Sequence, residues 1–133
     1  MKRGWDEMLF SRTKVKVYET TVLEVGKEAR NFEEIKMAIL FGQNAPDALR
    51  DSCYIIEVKD VETEIKAGMT LKIGNMEYKI TAVGYEVQTN LQNLGHIAIN
   101  FTGDKEATLP GSMYVEAKEY PRITVGTEIE IIK

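Results

Sequence analysis

The tightest constraint on this chain lies in its middle, where Leu71 and Ile73 alternate with polar residues, Gly74-Asn75 supplies a turn, and Met76, Tyr78 and Ile80 resume the alternation. Period-two patterning on both sides of a glycine-containing two-residue turn predicts a β-hairpin with one buried face. The second arm is expected to run past Val83 as far as Val87, with Gly84 marking a bulge or bend. The other apolar runs are equally short. Residues 15–25, 36–41, 53–58, 96–101, 112–119 and 128–132 each read as a strand, rich in β-branched or alternating residues and closed by Gly, Pro or polar residues.

Between these runs only two helical turns are expected. Pro46 suits the first position of a turn over residues 44–51, capped by Asn44 or Ala45. A second covers residues 89–94, with Thr89 as cap and Gly95 as a left-handed stop. About eight short strands with so little helix predict an all-β fold, a small closed or partly open β-barrel or sandwich. One internal similarity, residues 68–73 against 126–131, fits either two related strands of a pseudo-symmetric barrel or any glycine turn entering a half-buried strand. The expected organisation is an N-terminal extension, residues 1–14, followed by one β domain, residues 15–133.

Composition narrows the function. At 133 residues and 44% hydrophobic, the chain can build one core. No apolar run approaches the roughly 20 residues of a membrane-spanning helix. Asp6 and Glu7 interrupt the opening Gly4 to Phe10 stretch, so it does not read as a secretory signal. Twenty-one acidic against seventeen basic residues give a net charge of −4, which disfavours a nucleic-acid partner. The single cysteine, Cys53, forms no intrachain disulfide, and a cytoplasmic location fits.

The chemistry-bearing residues are few. One histidine and scattered carboxylates do not make a metal site, and neither phosphate-binding glycine signature occurs. No cofactor is expected. Cys53 precedes the apolar Tyr54-Ile55-Ile56 and reads as a buried small hydrophobe. Glu62 with Glu64, and Glu128 with Glu130, alternate and read as solvated strand faces. His96 follows the helix-stopping Gly95 and opens a strand whose Ile97, Ile99 and Phe101 share one face, leaving His96, Ala98 and Asn100 on the other. An imidazole there is a competent nitrogen nucleophile, uncharged in large part at neutral pH. A structural histidine is the competing reading.

Several blocks, in order, carry a family resemblance: Tyr18-Glu19-Thr20-Thr21 with Gly26, the Asn44-Ala45-Pro46 turn to Leu49, Cys53-Tyr54-Ile55, Tyr78 to Gly84, Asn90-Leu91 with Leu94-Gly95-His96-Ile97, and Leu109-Pro110-Gly111-Ser112. In this series the chain resembles the glucitol/sorbitol-specific IIA component of the bacterial phosphoenolpyruvate-dependent sugar phosphotransferase system. The resemblance implies a cytoplasmic β-rich phosphoryl carrier. Its partners would be the histidine-containing phosphocarrier protein, which supplies the phosphoryl group, and the IIB and IIC subunits of a membrane permease, without membrane insertion of its own.

The chain departs from that pattern where it matters most. The family's acceptor histidine falls on Ile56, and a second family histidine falls on Val58, whereas the histidine of the Leu-Gly-His block is kept as His96. Either His96 is the acceptor, helped by backbone amides or Asn100 as oxyanion donors, or the acceptor site is lost and the domain binds or regulates a partner. Residues 1–14, with Trp5, Leu9 and Phe10, lie outside the resemblance.

Overall fold

The computed structural model describes residues 15–133; the expected extension, residues 1–14, lies outside the described residues. Eight strands form: β1 (Lys16–Val25), β2 (Met37–Gly42), β3 (Tyr54–Ile56), β4 (Thr70–Ile73), β5 (Met76–Val83), β6 (Ile97–Asn100), β7 (Ser112–Val115) and β8 (Glu128–Ile132). They close into one barrel in the order β1-β3-β2-β6-β7-β5-β4-β8. Pairing is antiparallel except between β2 and β3 and between β6 and β7, which run parallel. Closure leaves every strand with two neighbours, so no unpaired edge needs protection.

The predicted hairpin is β4 and β5, in register from Ile73 opposite Met76 to Thr70 opposite Lys79. Its inward residues Leu71, Ile73, Tyr78 and Ile80 are buried with Tyr54, Ile56, Ile97, Ile99, Phe101, Met113, Ile129 and Ile131 in one interior cluster. The two similar segments meet directly: β4 lies antiparallel to β8 with Leu71 opposite Ile131, and Gly68 and Gly126 both turn with positive φ, +99° and +93°. Strand β5 stops at Val83, short of the expected Val87. Gly84 there packs against the Leu109 and Pro110 carbonyls with no room for a Cβ, and the Glu86 amide donates to the Pro110 carbonyl at 2.8 Å.

The helical segments differ from expectation in their ends. α1 covers Asp47–Arg50 with Pro46 as its cap. A 3-10 helix over Ala29–Ile35 was not expected at all, and it ends at Lys36 in the left-handed region. α2 covers Val87–Leu94, starting before Thr89 because Val87 and Leu91 enter the core and plug one end of the barrel. Gln88 and Gln92 seal that plug: their side-chain oxygens accept the amides of Ile65 and Val61 at 2.9 and 3.2 Å. At the far end Tyr120 donates to the Met37 carbonyl and pairs with Tyr54, both hydroxyls desolvated, and Tyr78 donates to the Glu119 carbonyl.

Glu130 corrects the reading of Glu128 and Glu130 as a solvated face. Glu128 is exposed, but Glu130 is buried under Lys16, whose ammonium lies 3.0 Å from one of its oxygens. Glu62 and Glu64 lie outside the strands.

Gly95 is the stop that separates α2 from β6. It holds φ at +67°, and a Cβ there would lie 3.1 Å from the Gly42 nitrogen and 3.4 Å from Ile56 Cδ1. The left-handed conformation alone costs an L-residue about 1–2 kcal/mol. Gly95→Ala is therefore expected to lower stability by at least that amount in denaturant titration, and by more than Gly103→Ala, which shares the left-handed cost at φ +74° but where a Cβ meets only ordinary contacts.

Candidate functional site

His96 is placed by the register between β2 and β6. Leu40 pairs with Ile97 in that antiparallel ladder, so the next position sets His96 opposite Phe41. Alternation then separates the two faces as expected: Ile97, Ile99 and Phe101 point into the barrel, and His96 stands on its outer wall. The imidazole is half-buried.

Two contacts fix the ring. It stacks on Phe41 with centroids 4.1 Å apart and planes 18° apart. Its Nδ1 lies 3.0 Å from the Leu40 carbonyl oxygen. A carbonyl can only accept, so Nδ1 carries the proton in this bond and the neutral ring presents an unprotonated Nε2. A stacked aromatic pair is worth about 0.5–1.5 kcal/mol beyond area burial, and a neutral hydrogen bond a similar amount. Together they hold one tautomer and one orientation.

Phe41 is itself anchored. With Ala45, Cys53 and Ile55 it forms a second, smaller buried cluster on the outside of the barrel, flanked by Ile39. α1 covers this cluster and is tied to β1 by Arg50, which grips Glu24 through Nε and Nη2 at 3.3 and 3.1 Å and donates to the Gln43 carbonyl. Cys53 lies within the cluster, its thiol donating to the Leu49 carbonyl at 3.2 Å. Desolvation raises its pKa, so it supplies little thiolate.

Position 56 is close by. Ile56 is fully buried in the interior cluster, paired with Gly42 across β2 and with Val22 across β1. Its Cδ1 faces Gly95, the residue before His96. Val58, in contrast, is 41% exposed. Positions 56, 58 and 96 therefore share one end of the barrel, although only the last carries an imidazole.

Asn100 does not join the site. It lies four residues along β6 from His96, roughly 13 Å at strand rise, opposite Met37 and Tyr114. It is 7% exposed and its Nδ2 has no partner among the described residues. An oxyanion role for Asn100 is excluded on distance. The residues that sequence reasoning missed are Phe41 and the Leu40 carbonyl, brought to His96 only by the ladder. Among the described residues, the carboxylates that approach one another are Glu19, Glu128 and Glu130, where Lys16 already bridges Glu19 and Glu130.

A closed eight-stranded barrel with one oriented imidazole on its outer wall defines a small carrier-type or binding β domain. Comparison with known proteins identifies which. The family described as the PTS system glucitol/sorbitol-specific IIA component matches residues 17–130. PTS system glucitol/sorbitol-specific EIIA components of Shigella flexneri and of Escherichia coli K12 are each 32% identical over 114 residues, covering 86% of this chain and 93% of theirs. A solved structure, the PTS system IIA component from Enterococcus faecalis V583, superposes with a TM-score of 0.78 at 34% identity, covering 87% of this chain and all of that one. The chain belongs to the glucitol/sorbitol-specific IIA component family. Among the described residues, no helix is long and apolar enough to cross a membrane.

The stack is directly observable because His96 is the chain's one histidine. The ring protons of His96 are expected to resonate upfield of a free imidazole in NMR spectra. Phe41→Leu, which keeps an apolar side chain but removes the aromatic face, should return them toward the free value while the fold persists. Unchanged shifts in Phe41→Leu would show that the ring does not stack as described.

Proposed function

We propose that this domain acts as a phosphoryl carrier of a glucitol/sorbitol-type phosphotransferase system and that His96 Nε2 is its acceptor atom. The observation that carries the assignment to His96 is the bond from Nδ1 to the Leu40 carbonyl on a half-buried ring, with Nε2 making no hydrogen bond among the described residues. A histidine serving only as packing would be expected to bury its ring and satisfy both nitrogens. The family match supports the carrier role as such.

The chemistry asks little of the protein. The Nε2 lone pair attacks phosphorus on the phosphohistidine of the phosphocarrier protein, and the donor's N–P bond breaks with its electron pair returning to the donor imidazole. As the new N–P bond forms, positive charge develops on the His96 ring, and the Nδ1–H bond to the Leu40 carbonyl stabilises it. Transfer onward to a IIB domain reverses the same steps. Positioning and in-line approach dominate such a transfer, and a ring locked by a stack and a hydrogen bond supplies the positioning. The permease would then phosphorylate its sugar on entry, with this domain working on the cytoplasmic side.

A second reading rests on one specific observation: Ile56, on which the resemblance places the family's acceptor histidine, is sealed in the core. On that reading the domain retains the barrel but binds or regulates a partner without accepting phosphate.

One experiment separates the two. Incubation with phosphoenolpyruvate, enzyme I and the phosphocarrier protein is expected to place one acid-labile phosphoryl group per chain, abolished in His96→Ala. A folded wild-type protein that stays unlabelled, beside a family member that labels under the same conditions, contradicts the carrier reading and leaves the binding role.

A further inference from the structure

Accepting a phosphoryl group changes the charge of the His96 ring. Before transfer the imidazole is neutral, with its proton on Nδ1. The Nε2 lone pair then becomes the new N–P bond, the electron pair of the old N–P bond stays on the donor imidazole, and Nδ1 keeps its proton for the Leu40 carbonyl, so the ring now carries a positive charge. A group that favours the charged ring over the neutral one moves the transfer equilibrium, and by no more than that difference.

No carboxylate answers this charge. Among the described residues, none lies within salt-bridge distance of the His96 nitrogens. What lies against the ring is the face of Phe41, with centroids 4.1 Å apart and planes 18° apart. A cation within about 6 Å of an aromatic centroid is attracted by the negative face of the ring, an attraction that needs the charge. The neutral imidazole gains only the ordinary stack.

Phe41 is well placed to act in this way. It is 8% exposed, paired with Ile55 across β2 and β3 and packed on Ala45 and Cys53, so water screens its face poorly and the ring is held in place. The cluster beneath it holds no ionised group, since desolvation keeps the Cys53 thiol protonated.

We propose that Phe41 stabilises the phosphorylated form of His96 through a cation–π contact made in full only once the N–P bond has formed, and so sets how far the phosphoryl group moves from the phosphocarrier protein to this domain. The inference rests on His96 Nε2 being the acceptor atom. It is distinct from holding the ring in place. A support that meets the neutral and phosphorylated rings equally changes how fast transfer occurs and leaves its equilibrium constant alone, whereas one that favours the charged ring moves the equilibrium constant itself.

The test changes the electronics of Phe41 and keeps its shape. Mono-, di- and trifluorinated phenylalanine, placed at position 41 by codon-directed incorporation, withdraw progressively more electron density from the ring face. Each protein is brought to equilibrium with phosphorylated phosphocarrier protein, and the ratio of the two phosphoproteins is read together with the initial labelling rate. The equilibrium constant toward His96 is expected to fall stepwise with fluorine, about three- to tenfold across the series, while circular dichroism shows an intact fold. Phe41→Leu is expected to fall at least as far. An equilibrium constant that stays level or rises along the series, whatever the rates do, overturns the proposal and leaves Phe41 a positioning residue only. If the wild-type protein takes no phosphoryl group at all, the reading of His96 as acceptor fails and this inference falls with it, an outcome distinct from labelled proteins that share one equilibrium constant.

Discussion

The antiparallel ladder between β2 and β6 is the constraint on which the site depends. Its register, Leu40 opposite Ile97, sends Ile97, Ile99 and Leu40 into the barrel core. The same register puts His96 over Phe41 and brings the Leu40 carbonyl to Nδ1. A slip of one residue would exchange the two faces, exposing core isoleucines and burying the imidazole. Packing of the core and orientation of the proposed nucleophile are thus one requirement, set by the same ladder.

Support for this ladder comes from both of its sides. Inside, Val87 and Leu91 of α2 plug the barrel end, and Gly95 turns the chain from that plug into β6 in a left-handed conformation close against Gly42 and Ile56. Outside, Phe41 rests on Ala45, Cys53 and Ile55, under a short helix held to β1 by Arg50 and Glu24. The arrangement resembles other positioned reactive groups in that the ring itself is accessible while its supporting contacts are buried. Ile56 fills core space beside Gly95 and leaves His96 the one imidazole at that end of the barrel.

Much of the fold was legible because its strands are short, alternating and bounded by glycine. Each of the eight strands coincides with a run that pattern alone marks, the β4–β5 hairpin most clearly. What escaped were features decided by tertiary packing. The segment Ala29–Ile35 has no capping side chain to announce its 3-10 turn. α2 begins at Val87 and not at Thr89 because burial of Val87 outweighs the preference for a hydroxyl cap. Glu130 looked solvated by alternation, yet Lys16, far away in sequence, covers it. The site divides in the same way: His96 stood out as the only histidine, with its strand face correctly phased, whereas Leu40 lies 56 residues away and no local pattern links them. Asn100 shared the outward face on paper but sits at the far end of the strand.

The central claim is that one specific nitrogen of one ring accepts the phosphoryl group because the other is occupied. The most direct measurement is phosphorus and nitrogen NMR of the phosphorylated protein, with nitrogen-15 in the imidazole, to determine which ring atom bonds phosphorus. The account predicts a phosphorus–nitrogen coupling at Nε2, with Nδ1 still carrying its proton. A phosphoryl group on Nδ1, or on any residue other than His96, would contradict it.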